Sequence, residues 1–118
     1  MSALRILLLL LALAILPYTF YTIAQEGFTL FSVFFDDLQS LSWSGQFNLD
    51  FLTYLILSSL WVAWRHEFSG QGMLLALCAS VLGMCFLALY LLITSFQVKG
   101  DLIHLLLGNK RAAALRTA

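Results

Sequence analysis

Three uncharged apolar runs set the pattern of this chain. The first goes from Ile6 to Gln25, directly after Arg5, and its core Ile6–Leu16 is built of Leu, Ile and Ala alone. At about 1.5 Å per residue it covers the ~30 Å hydrocarbon slab, which predicts a transmembrane helix over 6–25. Pro17 lies inside the run and removes a backbone donor, so a kink or break is expected there. Tyr18 and Tyr21 suit the interface at its far end. The second run, Phe51 to Trp64, spans only about 21 Å as a helix. To cross it must extend back through Asp50 to about Phe47, giving a span over 47–64. The third run, Gly72 to Phe96, has no charge and is flanked by Glu67 and Lys99. It reads as a span over 72–96, with tilt absorbing the excess length.

Residues 28–41 follow a different period. Phe28, Phe31, Phe34, Phe35, Leu38 and Leu41 recur at three- and four-residue steps, with Thr29, Ser32, Asp36, Gln39 and Ser40 on the other side. That is an amphipathic helix. Asp36 and Asp37 argue against a full span, since a central Asp costs about 2.5–3.5 kcal/mol on the insertion scale. The segment is expected to lie in the interface, touching headgroups or protein. Ser40–Gly45 reads as a polar turn holding Trp43 as an interfacial anchor. Trp61, Trp64 and Arg65 form a second anchor at the close of the second span. In the tail, Asp101 is placed to cap a short helix over 101–107 that ends at Gly108-Asn109. Lys110, Arg111 and Arg116 would attract anionic lipid.

Composition narrows the function classes. Of the 118 residues, 62% are hydrophobic and 10% charged, with a mean hydropathy of +0.95. A soluble domain carries roughly 45–50% and 25%. Six Lys+Arg balance six Asp+Glu, which leaves no basic field for nucleic acid. The expected fold class is an all-α integral membrane protein. It has three transmembrane helices, one amphipathic interfacial helix between the first and second, and a single membrane domain over 1–118. A signal peptide is the rival for residues 1–24, but Phe20, Tyr21 and Ile23 crowd the Thr22-Ile-Ala24 cleavage site. Three spans put the termini on opposite sides. The first helix then favours a cytoplasmic N-terminus, whereas the four basic residues of the tail favour a cytoplasmic C-terminus. Cys78 and Cys85 read as packing residues, too far apart on a helix to bond.

Candidate chemistry is sparse. Asp50 is the main candidate, because a carboxylate near hydrocarbon tends to mark an ion, proton or partner site. Asn48, Thr53 and Tyr54 are spaced to support it. The plain alternative is a helix-end residue at the water boundary. Asp36 and Asp37 point about 100° apart and do not converge on one ion. His66 and His104 fall on opposite sides of a three-span protein and share no metal. Ala76/Ser80 and Ala79/Gly83 give small-xxx-small spacings that let another helix approach. No nucleophile–base pair, phosphate loop or metal spacing is visible, so neither an enzyme nor a resident metal or cofactor is expected.

The Phe-rich Gly27-Phe-Thr-Leu-Phe31, the span opening on Asn48-Leu-Asp50 and closing on Trp61…Trp64-Arg65, and Val81-Leu-Gly83…Leu89-Tyr90-Leu91 resemble a family of small bacterial three-helix membrane proteins of unknown function. The resemblance covers residues 27–95. It implies the three-span fold and a bacterial inner-membrane location, and it supplies no activity or site residues. The function expected is that of a non-enzymatic accessory or structural subunit, acting through helix and lipid contacts. It would work as a homo-oligomer or with a larger membrane partner. The alternatives are a small oligomeric carrier using Asp50, or a binder of a lipophilic cofactor using the aromatic surface.

Overall fold

The computed structural model describes residues 1–117. Within them the chain is all helix, with no strand. Helix α1 is Ser2–Glu26, α2 is Leu30–Gln39 and α3 is Trp43–Arg65. Then come α4, Gly70–Leu82, and α5, Met84–Gln97. The tail forms α6, Leu102–Leu107, and α7, Asn109–Thr117. Helices α1 and α3 are each long and apolar enough to cross a membrane. Only 11% of either apolar stretch is buried by the rest of the chain, whereas a core helix of a soluble protein would be mostly covered. Pro17 sits within α1 without dividing it.

Helix α2 folds tightly onto the start of α3. A Cβ at Gly45 would lie 2.4 Å from the Asp37 carbonyl oxygen, so only glycine admits this approach. Asn48 Nδ2 ties the pair by donating to the Phe34 carbonyl at 3.2 Å. None of the α2 residues is buried, and Phe28 before it is 90% exposed. The amphipathic face therefore looks outward over much of its area.

The third apolar run departs from expectation. It is not one helix over 72–96 but two, broken at Gly83, whose backbone has φ +60° and ψ −133°. That conformation is cheap for glycine alone. The chain folds back at this point. Gly72 packs on the His66 side chain at one end of α4, and the Gly83 tip lies against Phe51 and Leu55, about halfway along α3. Ser59 Oγ donates to the Ala76 carbonyl between them at 2.8 Å, so α4 runs antiparallel to α3. Helix α5 then returns, for Tyr90 Oη is 2.7 Å from His66 Nε2. A straight continuation would carry Tyr90 roughly 30 Å beyond the start of α4. Helix α5 pairs antiparallel with α1, through Thr19 Oγ1 and Cys85 Sγ at 3.4 Å and through Arg5 and Ser95. At 13 and 14 residues, α4 and α5 reach only about 20 Å each. Hydropathy missed the break because both arms are equally apolar and nothing polar marks the tip.

The core is small and lies where this hairpin meets α3. Val62, Ala63, Ala76 and Ala79 are buried there, with Trp61, Leu75, Phe86, Leu87 and Tyr90 packed around them. Of the small-residue positions, Ala76 and Ala79 thus make the contact with α3. Ser80 turns its hydroxyl to the Leu77 carbonyl, and Gly83 is the turn itself rather than part of a helix face.

Because the hairpin reverses, the tail comes back to the start of α1. A Cβ on Gly100 would lie 3.5 Å from that of Met1. The start of α1 and the tail, expected apart, thus lie together, and so do His66 and His104, which flank Arg65.

Candidate functional site

Arg65 is the centre of that end. Read from sequence it is an interfacial anchor, yet it is only 8% exposed. Its Nε donates to the Leu105 carbonyl at 2.6 Å and its Nη2 to the His104 carbonyl at 3.3 Å. Trp61 Nε1 donates to the next carbonyl, Leu106, at 3.2 Å. The last carbonyls of a helix have no partner within it and carry the negative end of its dipole. Two side chains of α3 thus satisfy the C-terminal turn of α6. Gly108 lets the chain leave beneath them, since a Cβ there would meet the Arg65 carbonyl oxygen at 2.4 Å.

The same device recurs twice nearby. Arg111 of α7 donates to the Trp64 carbonyl at the end of α3 and lies 4.0 Å over the Trp64 ring. Arg5 of α1 donates to the Ser95 carbonyl at 2.8 Å and to its hydroxyl at 3.1 Å, near the end of α5. Its guanidinium also lies 4.0 Å over the Phe96 ring. Three helix ends are each closed by an arginine from another helix. Such charge-assisted bonds are about twice as strong as neutral ones.

Arg65 Nη1 also donates to Tyr90 Oη at 3.2 Å, and His66 completes a triangle with that hydroxyl. Burial lowers the pKa of His66, and the Arg65 charge lowers it further, so its ring is held neutral. Among the described residues Arg65 forms no ion pair; Glu67 pairs instead with Lys110 at 3.6 Å and Arg111 at 3.9 Å.

Two cavities share Arg65 and His66. The larger, about 520 Å³, opens between α4 and α5, with apolar walls that include Leu75, Phe86, Leu89 and, from α1, Leu16. The smaller, about 360 Å³, is polar and is completed by Glu67, Ser69, Asn109 and Lys110.

The sequence candidates lie elsewhere. Asp50 is exposed in the first half of α3 and lines neither cavity. Thr53 bonds to its backbone carbonyl rather than its carboxylate, Tyr54 is 68% exposed, and Asn48 turns to α2. Trp43 is 76% exposed, whereas Trp61 and Trp64 are half-buried under the tail. Among the described residues no cluster of three His, Cys, Asp or Glu could hold a metal. No family model, curated protein or solved structure matches the chain. The chemistry of Arg65 was missed because its partners lie forty residues away in sequence. The available signal was a lone Arg directly after a Trp-rich helix end, followed later by a Gly-terminated helix.

Proposed function

We propose that the chain is a non-enzymatic integral membrane protein that crosses the bilayer twice, through α1 and α3. In this reading the α4–α5 hairpin enters from one side and returns. The protein serves as an accessory or structural subunit through helix and lipid contacts. The observation that carries this is the distribution of charge. All six Lys and Arg (Arg5, Arg65, Lys99, Lys110, Arg111, Arg116) fall at the end where the tail meets the start of α1. Four of the six acids (Glu26, Asp36, Asp37, Asp50) fall toward the other end.

Basic residues near span ends stay on the cytoplasmic side. A two-span arrangement satisfies that rule with no exception, and both termini are cytoplasmic. A third span would divide the cations between the two sides. The α2 helix then rests on the opposite face, with Trp43 and the Phe residues at the interface. Non-helical backbone at Gly83 is acceptable at membrane depth because Phe51 and Leu55 cover it.

Topology labelling tests this. Cys78 and Cys85 are replaced by Ala, and single cysteines are placed at Ser40, Ala3 or Ala114. A membrane-impermeant maleimide applied to intact cells should label position 40 only. Positions 3 and 114 should react after permeabilisation. Labelling of 3 and 114 from opposite sides would overturn the two-span reading.

A further inference from the structure

We infer that the paired cavities at Arg65 form a binding site for one anionic phospholipid, with its phosphate in the polar cavity and an acyl chain in the apolar one. The inference rests on the membrane reading above. The apolar cavity is lined by Leu75, Phe86, Leu89 and Ile93, and its volume of about 520 Å³ lies within the usual ~300–1,000 Å³ of ligand sites. Arg65 and His66 also line the polar cavity, together with Glu67, Ser69, Asn109 and Lys110. Apolar and polar compartments joined at a shared pair of residues, with the Arg65 and Lys110 cations outnumbering the Glu67 carboxylate in the polar one, match an anionic amphiphile, not a soluble ion.

Charge decides the headgroup. Arg65 is buried, and its hydrogen bonds go to neutral acceptors: two carbonyls and the Tyr90 hydroxyl. A buried cation without a countercharge is costly, and helix carbonyls offset only part of it. Glu67 does not supply the rest, being engaged by Lys110 and Arg111. The Ser69 hydroxyl caps the α4 N-terminus, whose positive dipole end adjoins the same cavity. A phosphate diester brings the missing negative charge to a place at the level of lipid headgroups. A zwitterionic headgroup would bring its own cation next to Lys110.

The test uses the full chain in a mild detergent, read by native mass spectrometry. The probes are dioleoyl phosphatidylglycerol, dioleoyl phosphatidylcholine and glycerol phosphate. One phosphatidylglycerol should remain bound at collision energies that strip the detergent. Phosphatidylcholine and glycerol phosphate should be lost. Lys110→Glu, at an exposed position, should weaken phosphatidylglycerol retention about tenfold, the size expected from reversing one charge near a headgroup. Leu89→Trp should fill the apolar cavity and abolish retention, with helical content and elution volume unchanged. Equal retention of both lipids would overturn the proposal. So would undiminished retention in Leu89→Trp, or glycerol phosphate binding as firmly as the lipid. None of these outcomes depends on the number of spans, so the site and the topology fail separately.

Discussion

Arg65 Nε reaches the Leu105 carbonyl oxygen at 2.6 Å, joining the end of α3 to the end of α6 across forty residues. The bond is inside the protein, and the guanidinium holds a second carbonyl beside it. The tail is therefore part of the fold and not a loose extension.

Arg65→Met should release that tail. Loss of the buried charged donor leaves the Leu105 carbonyl without a partner and the His104 carbonyl with only the Gly108 amide, at a cost of about 3 kcal/mol. The variant should melt earlier by tryptophan fluorescence, and trypsin should cut after Lys110 and Arg111 much faster than in the parent. Arg65→Lys should recover little, because an ammonium cannot span two carbonyls as the planar fork does.

Replacing Gly83 should strain the hairpin tip. At φ +60° a Cβ is disfavoured, and it would also meet Phe51 Cζ at 2.8 Å. Gly83→Ala should cost about 1–3 kcal/mol. Part of that should return in the double variant with Phe51→Ala, since ring crowding is one of the two costs. Additive losses in the thermal melts would show that the backbone alone is at fault.

Acidification should loosen the basic end through His66. Its pKa is lowered in the folded protein, by burial first and then by the Arg65 charge, so the unfolded chain takes up the proton more readily. Stability is complete above the ordinary histidine value of about 6.5 and declines as pH falls from there toward the lower folded value. His66→Asn should flatten this part of the melting-temperature profile between pH 7 and 5.

A separate change should appear at lower pH. The Arg116 hydrogen bond holds the Asp101 carboxyl below its ordinary value, aided by the backbone amide of His104. Asp101 is thus an anchor that is present above the ordinary carboxylate range and lost as pH falls through the folded value. Hydrogen exchange at the start of α6 should rise below about pH 4 in the parent and be high at every pH in Asp101→Leu. The pair is partly exposed, so added salt should blunt the difference.

Asp50→Asn should shift the melt by no more than about 0.5 kcal/mol and leave the labelling pattern unchanged, since none of the described residues engages the carboxylate. A large loss of stability would mean that Asp50 has a partner in the assembled protein.

The long helices were legible because hydropathy and length are local properties. Helix α1 was anticipated within a few residues, and α3 begins four residues ahead of the expected start. The Phe-rich period likewise marked α2, and Asp101 marked the start of α6, where it accepts from the His104 amide. The reversal at Gly83 was not legible, since an apolar run has no sign that says whether it crosses or turns back. Asp50 drew attention for being charged near an apolar run, while Arg65 passed as an anchor. Their difference is one of tertiary contact: Asp50 faces outward, and Arg65 faces two carbonyls that a linear reading cannot bring near.

Helices α4 and α5 form one apolar stretch in the sequence, of a length that would cross a bilayer if it ran straight. Were it one straight helix, α6 would lie far from the end of α3, and Arg65 would lose the Leu105 and His104 carbonyls it holds. Only a chain whose stretch has doubled back at Gly83 can close the Arg65 and Arg111 bonds to its own tail. Helices α6 and α7 thus act as a latch whose closure reports that the hairpin has formed.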